Sequence, residues 1–371
     1  MQIAQLSTAL PKTEWTTEDL MKKFPCDLPE SVKQNILNLG VSKRHLIKSE
    51  PSNSETVMSE DELVNLCVEA CRNAVGRAEL SIESINYFIT TYDANPFLSP
   101  GLSQILMPKL GLDPYVKYVN AQGIASTAFP KALDATSNYL VAHPEDNVLI
   151  CVSGVSSHWF QRQVHALSRV MEISQIGKIQ DEATRREELR KWVATMQFFL
   201  FGDGVAAAVV SNKKKGLSVK QVTEVTNLRE KDYMAGYSRL TQVNEPFKFG
   251  FFSHLDRDIP KLGAEYTELA LKKLLGKETT KMVKVVKKWA IHTGSEKILN
   301  TLAEHHGIGR EKLDESRYVL REFGNLAGAS LPFILERIIA SGELEKDDLV
   351  LMLGYGWGFS AAACLLQNTW R

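Results

Sequence analysis

Phe201-Gly202-Asp203-Gly204-Val205-Ala206-Ala207-Ala208-Val209-Val210 closes an apolar run with a glycine-bounded turn and passes at once into a β-rich stretch. A Gly-Asp-Gly turn is by itself ordinary punctuation. Its place in a larger pattern gives it meaning. Upstream, Ile85 to Thr91, Val116 to Ala121 and Val148 to Ser153 are short, apolar and β-rich, as buried strands are, and Ala206 to Val210 continues the series. The stretch before Ile85 and the stretch from Ser126 to His143 have helical spacing. Ser59-Glu60-Asp61-Glu62 opens the first of these as a capping box, with Leu63, Cys67, Ala70 and Ala74 on one face.

Downstream, Lys213-Lys214-Lys215-Gly216 forms a solvated turn and the pattern returns. A strand is expected at Trp289 to Thr293, helices from about Ser295 and from Ala329, and paired strands at Leu349 to Gly354 and Phe359 to Leu366. Strands alternating with helices in both parts imply a layered α/β fold of two similarly organised halves, residues 1–212 and 213–371. The segment 157–199 stands out as long and charged, with Arg185, Arg186, Glu187, Glu188, Arg190 and Lys191 close together. It reads as a solvated helical insertion, or as a lid or docking element.

The 371 residues, 44% of them hydrophobic, are enough for two ordinary domains or two packed halves. Lys and Arg number 44 against 44 Asp and Glu, a balance that argues against a nucleic-acid or membrane-surface binder. Met1 to Gln5 shows no basic region leading into an apolar run, and no stretch reaches the roughly 20 apolar residues that span a bilayer. A cytoplasmic protein is expected. The five cysteines are scattered without metal-ligand spacing, so they read as reduced, packed thiols.

Two further islands carry chemistry. His292-Thr293-Gly294 follows an expected strand, where a histidine can project into a cleft. Phe323-Gly324-Asn325-Leu326-Ala327-Gly328-Ala329-Ser330-Leu331-Pro332 is crowded with small residues, so its backbone approaches something closely. Together with Phe201 to Gly204, these islands resemble the condensing enzymes of the thiolase superfamily, specifically ketoacyl synthase III and the type III polyketide synthases of the chalcone synthase kind. Leu110 to Pro114, His254-Leu255-Asp256-Arg257-Asp258-Ile259-Pro260 and Gly354-Tyr355-Gly356-Trp357-Gly358-Phe359-Ser360 are similar to further motifs of that family, in the same order. The resemblance implies a thiolase fold: two βαβαβαββ halves in five layers, α-β-α-β-α. It implies His292 and Asn325 as the catalytic histidine and asparagine, no metal or redox cofactor, and an acyl-CoA or acyl-carrier-protein thioester as substrate. It also implies a homodimer that pairs central strands across a two-fold axis.

One departure alters the chemistry. Gap-free counting forward from Leu110 or back from Val148 puts Ser126 where that family has its nucleophilic cysteine, and Ala125-Ser126-Thr127-Ala128-Phe129 fits the local pattern. A rival register, led by Gln122-Gly123, would place Ile124 there at the expense of two gaps. A serine cannot be stored ionised, so it needs a general base as it attacks, and His292 is the candidate. Backbone amides at Ser126 and in the Trp357–Gly358 loop would hold the oxyanion. By the same resemblance Phe201 lines the acyl cavity, Ser253 stands where an aromatic is usual, and Arg44 belongs to the region that helps bind the pantetheine or nucleotide end. Three functions remain open: acyl transfer through Ser126 in polyketide- or fatty-acid-type biosynthesis, chemistry by His292 and Asn325 without a covalent intermediate, and a non-catalytic partner subunit of an active ketosynthase.

Overall fold

Apolar and β-branched runs build one nine-stranded mixed sheet that wraps around two central helices. In this computed structural model the described residues are 1–47, 49–52, 55–58, 60–92, 99–165, 167–240, 251–256 and 258–370. Ser59 and Arg257 lie outside them. The strands are β1 (Gln2–Ala9), β2 (Ile85–Tyr92), β3 (Lys117–Gln122), β4 (Asn147–Ser153), β5 (Val205–Ser211), β6 (Leu217–Thr226), β7 (Lys288–Ile291), β8 (Leu349–Gly356) and β9 (Ser360–Asn368). Their order is β7-β8-β9-β6-β1-β5-β4-β2-β3.

The sheet has an internal symmetry. Antiparallel β1–β5–β4 followed by parallel β2 mirrors antiparallel β6–β9–β8 followed by parallel β7. The two sets meet where β1 pairs with β6, at Gln2↔Ser218 and Ile3↔Leu217. β3 continues the first set and has no counterpart beyond β7.

Helices fill the layers. α1 (Glu60–Arg77) and α2 (Leu102–Leu110) pack on the outer face of the first set, where Cys67 and Cys71 meet Cys151 of β4 among aliphatic residues. α3 (Ala128–Ala142) lies between the two sets. α4 (Ser157–His165) and α5 (Glu182–Leu200) follow β4, and α6 (Ile259–Leu275) and α7 (Glu296–His306) cover the outer face of the second set. α8 (Asp314–Phe323) leads to α9 (Ser330–Ala340), which joins α3 in the central layer. The result is the expected α-β-α-β-α stack.

Several local expectations change. β1 and β6 did not stand out, because each carries polar residues on partly exposed positions beside its buried ones. The strand expected to run to Thr293 ends at Ile291, where the Gly294 amide donates back to the His292 carbonyl and tightens the chain into a turn. The segment 157–199 is not one solvated excursion. It breaks into α4, a short turn at Ile173–Ile176 and α5, and the far end of α5 buries Val193, Ala194, Thr195, Met196, Gln197 and Phe199.

Candidate active site

The two central helices begin side by side, and each is entered through a single 3-10 turn: Ala125–Thr127 before α3 and Ala327–Ala329 before α9. The first residue of each turn is left-handed, Ala125 at φ 42° and Ala327 at φ 47°. Such a conformation in a non-glycine residue is strained and tends to occur at functional sites. The turns touch: a Cβ on Gly328 would come within 2.9 Å of the Ala128 Cβ. Ser126 therefore occupies the turn that leads into α3, not the helix itself.

The Ser126 hydroxyl lies 2.8 Å from Nε2 of His292. His292 reaches it from the end of β7, held by its amide bond to the Leu353 carbonyl at 3.0 Å. Thr293 ties this end to the neighbouring loop through its hydroxyl contact with Ser330 at 2.9 Å, and Ser330 Oγ accepts from the Leu326 amide at 3.1 Å. Asn325 is thereby fixed next to that knot. Its Oδ1 accepts from the Ala327 amide at 2.8 Å, which leaves the Nδ2 protons as the donor end of the side chain. Ser126, His292 and Asn325 are 6%, 3% and 5% exposed, and all three line one cavity of about 1820 Å³.

The electrostatics suit developing negative charge. α3 and α9 direct their N-termini toward the residues lining the cavity, adding a partial positive potential there. His292 is enclosed, and burial lowers its pKa to about 3. Its Nδ1 has no hydrogen-bond partner among the described residues, and a neighbouring group is the Tyr355 ring, set edge-on at 5.6 Å between centroids. Among the described residues no carboxylate orients the imidazole, so it is a neutral ring facing a hydroxyl.

Phe201 bridges to Asn325 in parallel β fashion, stacks against Phe160 at 4.7 Å and lines the cavity. The rest of Phe201 to Gly204 is structural. A Cβ on Gly202 would meet the Phe323 carbonyl at 2.1 Å, and buried Asp203 accepts from the amides of Ile47, Ser156 and Ser157. The crowded loop from Phe323 to Pro332 thus approaches Gly202 on one side and α3 on the other. Ser253 also lines the cavity, with its hydroxyl 2.6 Å from that of Ser238.

One expected residue lies elsewhere than anticipated, and one loop contact shifts along the chain. Arg44 does not line the cavity; it is fully buried beneath it, donates to the Thr17 hydroxyl at 2.5 Å, and burial lowers its pKa to about 9. Trp357 and Gly358 line the cavity at the tip between β8 and β9, but the loop residue against Ser126 is Gly356. A Cβ there would sit 3.3 Å from the Ser126 amide nitrogen and 3.4 Å from its Oγ. Sequence reasoning stopped short of Gly356 because β8 runs two residues further than its apolar run implies.

Gly354 marks how tightly this wall is built, since a Cβ there would fall 2.4 Å from the Ser126 carbonyl oxygen. Backbone cannot yield as a flexible side-chain tip can. Gly354→Ala is expected to destabilise the protein by about 2 kcal/mol or more and to displace Ser126. Denaturant midpoints of the two chains check this; an unchanged midpoint would mean that β8 relaxes freely.

Comparison with known proteins agrees with this fold. Residues 242–369 match the family model of the C-terminal domain of chalcone and stilbene synthases. The 3,5-dihydroxyphenylacetyl-CoA synthase of Amycolatopsis orientalis is 22% identical over 380 residues, covering 99% of this chain and 93% of that protein. A β-ketoacyl-[acyl-carrier-protein] synthase III of Clostridium perfringens is 26% identical over 320 residues, covering 83% and 85%. The crystal structure of 1,3,6,8-tetrahydroxynaphthalene synthase from Streptomyces coelicolor, a bacterial type III polyketide synthase, superposes with a TM-score of 0.80 at 20% identity over 100% of both chains. The chain is a thiolase-like condensing-enzyme homologue, related to the type III polyketide synthases and to ketoacyl synthase III.

Proposed function

We propose that this protein is an acyltransferase that takes an acyl group from a CoA or acyl-carrier-protein thioester onto Ser126 and passes it to an acceptor, in the manner of a condensing enzyme. The observation that carries the reading is the 2.8 Å contact between Ser126 Oγ and His292 Nε2 in the wall of a large cavity. The Ser126 proton passes to Nε2 as Oγ attacks the thioester carbonyl. The C–S bond then breaks, and the leaving thiolate takes that proton back. The Ser126 amide and the Gly356 backbone beside it are the groups nearest the developing oxyanion. Recorded as intact mass, the purified chain is expected to gain one acyl group from at least one thioester in a panel of CoA and carrier-protein donors. No gain from any donor would end the covalent reading.

A second reading has its own support. A neutral imidazole with a pKa of about 3 and no orienting carboxylate is a weak base but a sound hydrogen-bond donor. With the Nδ2 protons of Asn325, it would stabilise the enolate formed when a malonyl thioester loses carbon dioxide, without any bond to Ser126. The donor's identity and a biosynthetic role in polyketide- or fatty-acid-type chemistry rest on the relatives named above.

A homodimer through β3 also belongs to this proposal. β3 is one of the two edge strands of the sheet, and Tyr118 and Val119 are 42% and 38% exposed on it. Open edges invite pairing with a second copy. Gln122 and Gly123, which line the cavity, follow directly, so the pairing would brace one cavity wall. Val119→Lys sets like charges on both copies and is expected to halve the mass measured by light scattering. A native chain that runs as a monomer would remove the dimer from the proposal.

A further inference from the structure

α5 connects the cavity's outer part to its depth. Along one face it presents Arg186, Leu189, Val193, Gln197 and Leu200 to the cavity, spaced three or four residues apart. The outer turn is charged and solvated, with Arg186 paired to Glu182. At 1.5 Å per residue, Gln197 lies about 16 Å further along the helix than Arg186. There it is 1% exposed, one helical turn before Phe201, which bridges to Asn325.

Gln197 is the anomaly of this wall. Neither its Oε1 nor its Nε2 bonds to any group among the described residues. Buried amides are nearly always satisfied, and leaving one otherwise is costly. Four further cavity-lining groups share this condition; beside His292 Nδ1 and the Tyr355 hydroxyl they are the Ser156 hydroxyl, in a residue 8% exposed, and the shielded Trp192 Nε1. The amide, indole and hydroxyl protons of Gln197, Trp192 and Ser156 outnumber their acceptor atoms, Gln197 Oε1 and Ser156 Oγ. A donor-rich set inside a mostly apolar cavity suits oxygen atoms on a ligand.

We propose that Gln197, on a cavity wall that also carries Ser156 and Trp192, is a recognition point that selects acyl groups carrying a hydroxyl or ketone oxygen away from the thioester. The inference rests on the acyl-thioester reading of the cavity and names the substrate class for it. An unadorned alkyl chain in the same place would leave Gln197 unpaired, the situation in which binding sites discriminate most strongly.

The test measures affinity, not turnover, so it does not depend on acyl transfer. Octanoyl-CoA, 8-hydroxyoctanoyl-CoA and 7-oxooctanoyl-CoA are titrated calorimetrically into the native chain and into Gln197→Leu. Native protein is expected to favour at least one oxygenated thioester by about tenfold or more, and Gln197→Leu to erase or reverse that preference while still binding octanoyl-CoA. The variant is also expected to melt higher when unliganded, since it removes an unpaired buried amide of nearly the same volume. If Gln197→Leu does not fold, Gln197→Met takes its place. Equal affinities in the native chain, or a preference that survives the substitution, would overturn the recognition point while leaving acyl transfer intact. A lower melting temperature would assign Gln197 a structural role. If none of the three thioesters binds, the recognition point falls together with the donor reading.

Discussion

Incubated with its acyl thioester, the native chain is expected to gain one acyl group, Ser126→Ala none, and Ser126→Cys the same group at least about tenfold faster. The reasoning follows from the pair at 2.8 Å. A serine hydroxyl must surrender its proton during attack, and His292, with its pKa lowered to about 3 by burial, accepts it reluctantly. A thiol at the same place ionises far more easily, and α3 begins two residues later with its N-terminal dipole favouring the anion. The pH dependence separates the two nucleophiles. Imidazole stays neutral above a pKa of about 3, so acylation of Ser126 should be flat from pH 5 to 9, whereas the cysteine variant should rise with thiol ionisation. An adduct that persists in Ser126→Ala would move the nucleophile elsewhere. Acylation of Ser126→Cys alone would mean that the serine has switched the covalent step off, leaving either the non-covalent chemistry of His292 and Asn325 or a subunit that supports an active partner.

How far the sequence could be read depended on whether local chemistry or tertiary contact decides a residue's role. β2, β4 and β5 were legible because both of their faces are buried, which writes an unbroken apolar run. The turn of Phe201 to Gly204 and the small residues around Asn325 were legible as close approaches, and Gly202 does meet the Phe323 carbonyl. Arg44 was read as part of a region that helps bind the pantetheine or nucleotide end because a basic pair on a surface looks the same in sequence as one whose arginine is buried on a short paired strand. Gln197 gave one faint signal, a lone amide in the run Val193 to Leu200, but only the path of α5 puts it into the cavity. Gly356 was hidden by a strand that outlasts its apolar pattern. The meeting of Ser126 with His292 spans 166 residues of chain and follows from the packing of the central helices, which no local pattern states.

His292→Gln and Asn325→Ala are each expected to slow decarboxylation of a malonyl thioester by about 10²–10³-fold, the usual loss when one donor to a developing oxyanion is removed. The double variant should lose less than the product of the two, because both side chains serve one enolate. His292→Gln has a second, independent signature. The folded-state pKa of about 3 lies below the ordinary value of 6.5, so between those pH values the unfolded chain binds a proton that the folded chain refuses. The native stability owed to a neutral His292 is therefore complete above pH 6.5 and is lost as pH falls toward 3. At about 1.4 kcal/mol per pKa unit, this amounts to something on the order of 5 kcal/mol. His306, lowered to about 4 mainly by burial, adds a similar slope over the upper part of that range, so the native chain should take up close to two protons on unfolding near pH 5. His292→Gln keeps only the His306 share, and its melting temperature should fall more gently with acid than the native one. Parallel acid slopes would mean that His292 is hydrated and titrates normally. In that case the imidazole is a competent base, and the balance between the covalent and non-covalent readings shifts toward an acylated Ser126.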